Sequence, residues 1–333
     1  MVEMNKMDKM DKTDKTDKTD KTDKTDKTDK ADRNGLDRNG LTRRDFLKAT
    51  STAAIAGALF MSDPRDVFGQ VTEKKTRVVL VRDKDVLDST GNVDANVLER
   101  MLDNAVTALL DEPDPANAWK RIVKPEDVVG IKTNQWGHLP TPKALENAIE
   151  KRVIGAGVSE KNISIRDQGV LDDEIFVKST ALINVRPMRT HHWSGVGSLI
   201  KNYIMFSRTP WGYHDDSCAD LAKIWALPVC AGKTRLNILV VLTPLFHGIG
   251  PHHFNPEYTW LYGGLLVGVD PVAVDSTGVR ILVAKRKEYF GEDRPLNPPP
   301  KSIYFADTRH HLGTADPAKI DLVKIGWEEG ILI

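Results

Sequence analysis

Ala181-Leu182-Ile183-Asn184-Val185 is a short apolar run, and Thr190-His191-His192-Trp193-Ser194-Gly195-Val196-Gly197-Ser198-Leu199-Ile200-Lys201-Asn202 follows it closely. The run reads as a buried strand, the glycines as a turn that lets a backbone approach a ligand, and the last residues as a helix beginning near Gly195. Strand, glycine turn and helix in that order form a ligand-binding corner of an open parallel sheet, because ligands sit beyond the carboxyl ends of such strands. Arg189, His191, His192 and Lys201 gather there, and free N–H groups at the start of a helix would favour an anion. The stem of Lys201 is long enough to bring its ammonium back toward that crevice.

The alternation extends outward from this stretch. Strand-like runs lie near Arg77 to Val81, Asp127 to Lys132, Asn162 to Arg166, Asn237 to Leu242, Leu265 to Val269 and Ser302 to Phe305, with helical patterns between them. Val97, Leu98, Met101, Leu102, Ala105, Val106, Leu109 and Leu110 recur at helical spacing, and Leu145, Ala148, Ile149, Val153 and Ile154 form a second stripe closed by Gly155 and Gly157. The expected fold class is α/β, a mostly parallel sheet with helices on both faces in Rossmann-like layers.

Polar residues sit where strands end. Lys132 and Asn134 close the run Val128-Val129-Gly130-Ile131-Lys132-Thr133-Asn134, and Thr141 is placed to cap a helix starting at Pro142. Asp270 before Pro271 has the form of a helix cap, which accounts for it structurally. Asp275 differs, because it falls among Val272, Ala273, Val274 and Val279, where an unpartnered carboxylate is costly. A pairing with Lys132 or Lys201 is expected. These residues describe a crevice in which Lys132, Asn134, Arg189, His192 and Asn202 bind a small anionic ligand. His191, Lys201 and Asp275 are the candidate catalytic groups, His191 for proton transfer because imidazole titrates near neutrality. The cofactor is not identified by the sequence, but a metal could be held by His247, His252 and His253 in the loop after Leu242, joined by His191 or His192. Three readings follow: an enzyme acting on a small anion, a non-catalytic binding or accessory protein, and a metal-binding redox partner.

The composition narrows the classes. In 333 residues there are 47 basic and 47 acidic side chains, so no cationic field is available to steer a nucleic acid. Cys218 and Cys230 are the only cysteines, too few for a four-thiolate iron–sulfur cluster from this chain alone. Asp216 to Leu227 reads as a helix about 18 Å long, which would hold the two thiols too far apart for a disulfide unless Pro228 turns Cys230 back.

The amino-terminal part has another character. Residues 1–40 form an Asp-Lys-Thr-rich leader with eleven basic and eleven acidic side chains, and such a tract cannot bury surface to offset the entropy of ordering. Leu41-Thr42-Arg43-Arg44-Asp45-Phe46-Leu47-Lys48 and the Ala-rich run to Met61 match a twin-arginine export signal, too short to span a bilayer. Val67-Phe68-Gly69 offers a cleavage site, and Met1 to about Gln70 is expected to leave a body beginning near residue 71. Export by the twin-arginine machinery and a periplasmic location are the expectations, with no stable transmembrane span in the mature protein.

The body resembles the DUF362 family. The matching pieces are Val129-Gly130-Ile131-Lys132-Thr133-Asn134, the run Leu182 to His192, Gly195 to Asn202 with its Lys201-Asn202, and Asp270-Pro271-Val272-Ala273-Val274-Asp275. The resemblance covers most of the chain from Lys124 to about Leu282. It implies a prokaryotic α/β protein whose biochemical role is largely undefined. Arg186 and Arg189 stand where many members carry lysines, and the ferredoxin-like cysteine motifs that many relatives append are absent from this sequence.

Overall fold

Among the described residues eight strands make one sheet: β1 (Thr76–Arg82), β2 (Val129–Lys132), β3 (Ile163–Arg166), β4 (Ala181–His191), β5 (Gly195–Gly197), β6 (Thr234–Leu245), β7 (Gly264–Gly268) and β8 (Ile320–Gly326). The structure is a computed structural model that describes residues 75–248 and 254–333. The leader, the twin-arginine segment, His252 and His253 lie outside the described residues. Seven strands run in the order β3-β2-β4-β6-β7-β1-β8, and β5 pairs on β4. β2 is parallel to β3 and β4, β4 to β6, and β1 to β8. The chain is therefore an α/β protein with a mixed, mostly parallel sheet.

β7 departs from the parallel rule, running antiparallel to both β1 and β6. Parallel return requires a crossover of a dozen or more residues, usually helical. Among the described residues the helical content of the β6–β7 connection is the one-turn helix Pro256–Tyr258.

Helices cover both faces of the sheet. One face carries α1 (Ala95–Leu110), α2 (Pro115–Ile122) and α3 (Lys143–Gly155), whose apolar stripes meet Val79, Val81, Ile131, Ile183, Ile238 and Val240. The expected stripe of α1 is buried from Val97 to Leu109, and Asp94 caps it by accepting from Asn96 N–H and Val97 N–H. α4 (Glu174–Lys178), α5 (Leu199–Asn202), α6 (Ala222–Trp225), α7 (Pro271–Phe290) and α8 (Lys301–Thr308) belong to the opposite half, where Leu80, Leu182, Met188, Leu239 and Leu266 form the core. Asp270 caps α7, accepting from Val272 N–H and Ala273 N–H, as its position before Pro271 implies.

Several local expectations fail for identifiable reasons. Ser302 to Phe305 is part of α8, not a strand; a four-residue apolar run does not distinguish the two periods, and buried Ile303 and Ala306 recur at helical spacing. β8 escapes notice because its side chains are mostly half-buried and interleaved with charge, as in Ile320-Asp321-Leu322-Val323-Lys324. The segment from Asp216 to Leu227 is not one helix. Asp216, Ser217 and Cys218 take positive φ values of 47°, 59° and 62°, and regular helix resumes only at Ala222. Cys218 and Cys230 are nevertheless both free and buried. Thr141 does not cap α3, since its hydroxyl accepts from Asn134 N–H at 3.0 Å.

The largest correction falls on the decisive stretch itself. β4 does not stop at Val185 but continues to His191, and Gly195 to Gly197 pair back on it as β5 instead of opening a helix. Pro187 lacks an N–H for the ladder, and the register with β6 shifts between Pro187 and Arg189. Gly195 has φ +74° and lies against backbone, with an added Cβ 2.5 Å from the Pro298 carbonyl oxygen. The space beside this glycine is filled by the protein's own proline loop. Gly195→Ala is expected to cost roughly 2 kcal/mol or more, read as a lowered urea midpoint, because conformation and contact both oppose a side chain. An unchanged midpoint would show that the hairpin is free to move.

Candidate functional site

A row of side chains crosses the sheet in register: Lys132 on β2 faces Asn184 on β4, which faces Asn237 on β6. Alternation turns all three toward the half that carries α5, α7 and α8. Asn237 donates from Nδ2 to the Val269 carbonyl at 2.8 Å, and Asn184 Nδ2 donates to Asn237 Oδ1 at 3.2 Å and the Leu199 carbonyl at 3.1 Å. Asn202 Nδ2 reaches Asn184 Oδ1 at 2.8 Å and the Val185 carbonyl at 3.1 Å. Lys132 Nζ then donates to Asn202 Oδ1 at 3.2 Å, the Thr133 carbonyl at 2.7 Å and Asp167 Oδ1 at 3.0 Å. Each buried member has partners, so the network acts as a rigid floor that fixes α5.

Lys132 is wholly buried and belongs to that floor, not to an open crevice. Burial draws its ammonium down to about 8, against the pull of Asp167. Asn202 is equally committed to the network, although it also borders the pocket described next.

Asp275 does not pair with Lys132 or Lys201. Its two carboxylate oxygens accept from Leu199 N–H and Ile200 N–H, both at 2.9 Å. The helix start that the sequence offers to an anion is thus occupied by a carboxylate from α7. Complete burial raises this carboxyl to about 6, with the Ile200 and Leu199 N–H groups pulling the other way. It is a structural cap, supplied from 75 and 76 residues further along the chain.

His191 and His192 form part of an aromatic stack. Their rings lie 4.8 Å apart at 11°, with Trp193 beside His192 at 4.3 Å. His191 Nδ1 accepts from Trp193 N–H at 3.1 Å, which leaves the proton of the neutral ring on Nε2. Burial, then Lys201, Arg189 and Arg186, push its pKa far below the ordinary imidazole value. A ring held neutral in this way is a poor proton acceptor at neutral pH.

The pocket lies at the carboxyl ends of β2 and β3, over the extension of β4. It encloses about 330 Å³ and is bordered by Asn134, Trp136, Asp167, Arg186, Arg189 and Lys201 among others. Three of these side chains are cationic and one is a carboxylate already paired with Lys132 at 3.0 Å. Arg186 and Arg189 are each only 4% exposed, yet among the described residues Arg186 Nε, Arg189 Nε and Arg189 Nη1 have no hydrogen-bond partner. Asn134 Oδ1 is orphaned in the same way. Burial lowers the guanidinium pKa of Arg186 to about 10, against the pull of Asp167 and Asp275, and burial followed by the neighbouring Arg186 lowers that of Arg189. Trp136 supports Arg189, with the guanidinium 4.2 Å from the ring centroid. Gly197 makes room for the pair, since an added Cβ would stand 3.1 Å from an Arg186 terminal nitrogen and 3.2 Å from Arg189 Cγ.

Sequence reasoning missed Arg186 and Asp167 as site residues. An arginine embedded in an eleven-residue strand that is buried throughout was the available signal, since charge is rarely enclosed without a purpose. Asp167 directly follows the last residue of β3, the position where ligand crevices open.

Metal ligation finds no support from His247. Its Nδ1 lies 3.1 Å from Arg286 Nη1, and its ring packs edge-on against Tyr258 and Phe290. Among the described residues no three His, Cys, Asp or Glu side chains gather as a metal set. A larger concavity of about 740 Å³ at the start of β1 includes Arg77, Arg121 and Asp321. Arg77 there donates to Asp321 at 3.2 Å and Arg121 to the Leu110 carbonyl at 2.7 Å, so neither guanidinium stands ready for a ligand as those of Arg186 and Arg189 do. Comparison of the chain with family models, curated proteins and solved structures found no match. Among the described residues no helix is long and apolar enough to cross a membrane.

Proposed function

We propose that this is an exported, DUF362-like protein that binds a small carboxylate or phosphate between Arg186, Arg189 and Lys201. The observation that carries the reading is the pair of buried guanidiniums with unanswered N–H groups on one pocket wall. Leaving a buried charged donor unpaired is costly, and a bidentate anion would remove that cost. Binding is favoured over proton-transfer catalysis because His191 is held neutral and does not border the pocket. Export and a periplasmic location are proposed from Arg43-Arg44 and the apolar run that follows them.

The test is a thermal-shift and calorimetric screen of the full chain against oxalate, acetate, phosphate and sulfate. At least one anion should stabilise the protein with dissociation in the micromolar range or tighter, and no response to any of them would remove the reading. Protonation supplies a further check. Burial and the flanking guanidiniums lower Lys201 to about 8, while its contact with Cys218 works the other way. An anion raises that value, so binding at pH 8 should take up a fraction of a proton, and affinity should weaken as the pH rises past 8. Calorimetry in two buffers of different ionisation enthalpy measures the uptake. Zero uptake would place Lys201 away from the anion.

A further inference from the structure

Two buried lysines serve this half of the sheet, and they are treated differently. Lys132 has Asp167 as its counter-ion. Lys201 is 4% exposed and borders the pocket, yet among the described residues no carboxylate reaches it. Its ammonium donates to the thiol of Cys218, Nζ to Sγ 3.6 Å. The thiol is delivered there by Asp216, Ser217 and Cys218, successive non-glycine residues in a left-handed conformation that L-residues disfavour. Burial raises the Cys218 thiol, which keeps it neutral and leaves Lys201 without an ionic partner.

We propose that Lys201 is an amine nucleophile that forms a reversible imine with a small 2-oxo acid whose carboxylate is held by Arg186 and Arg189. This rests on the anion-binding reading and names its substrate class. The guanidiniums supply the planar fork that a carboxylate fits, Asn134 borders the same space, and Ile204 and Met205 offer an apolar wall for a short alkyl group. In the step the Lys201 nitrogen attacks the carbonyl carbon, a C–N bond forms and becomes C=N, and the C–O bond breaks. Both hydrogens of the neutral amine leave with the carbonyl oxygen as water. No oxidant or reductant takes part. Burial beside two guanidiniums lowers the ammonium enough for the free amine to be present near neutral pH.

The test is incubation of the full chain with pyruvate and cyanoborohydride at pH 7, followed by peptide mass mapping. One reduced pyruvate should be found on Lys201, formed on the order of tenfold or more faster than on Lys143 or Lys178, whose side chains are 71% and 67% exposed, and suppressed by oxalate. Modification of Lys201 no faster than of those surface lysines, or none at all, would overturn the proposal. Oxalate binding measured on the same sample separates the two levels. Binding without an adduct on Lys201 ends the imine proposal and leaves the anion reading in place, whereas absence of both ends both.

Discussion

Arg189→Met is expected to weaken anion binding by about 100-fold, roughly 2.8 kcal/mol, while leaving the unliganded protein as stable as before or more so. Arg189 is almost fully enclosed, with Nε and Nη1 unpaired among the described residues. A methionine keeps much of the apolar stem and its contact with Trp136 but removes a buried guanidinium whose Nε and Nη1 have no hydrogen-bond partner among the described residues. Opposite movements of affinity and stability mark a residue kept for its ligand. Calorimetry and urea denaturation on the same preparation give both quantities. A variant that loses several kcal/mol of stability would instead assign Arg189 to the scaffold, as would one that binds anions normally.

Asp275→Ala should destabilise the fold by about 3–5 kcal/mol, because it strands two buried N–H groups at Leu199 and Ile200 that the carboxylate now satisfies at 2.9 Å each. Asp275→Asn keeps an acceptor and avoids burying a charge, so its cost should stay below about 2 kcal/mol. The pH dependence has a definite sign. The native carboxyl is raised to about 6 from an unfolded value near 3.9, so the native state holds the proton more tightly. The stability gained from that proton is present below about pH 4 and is lost as the pH rises to about 6. Asp275→Asn should flatten this slope. If its urea midpoint follows the wild type across that window, Asp275 does not titrate there.

The sequence carried the layers of the fold and lost the wiring. Strands such as Val78 to Val81 and Ile238 to Leu242 are continuous apolar runs, and α1 has a clean stripe, because burial on two faces or one imposes a period on the residues. Polar strand ends at Lys132 and Asn134 also marked where the crevice opens. What periodicity does not encode is partnership across the chain. Asp275 looks like a match for a lysine by charge, yet it ends on the N–H groups of α5, seventy-five and seventy-six residues earlier. Lys132 and Lys201 look alike as letters. Register places one against Asn184 and Asp167 in the floor, and the turn at Cys218 leaves the other on the pocket wall. Arg186 was hidden by its apolar neighbours, the very context that makes it informative once the strand is seen to run on to His191.

An anion answering the guanidiniums of Arg186 and Arg189 is the central claim. The most direct measurement is a crystal structure of the protein grown with the tightest-binding anion from the screen. That anion is expected within about 3 Å of nitrogens from both arginines, with Lys201 beside it. An anion bound elsewhere, or both guanidiniums turned away and paired to other protein groups, would contradict it.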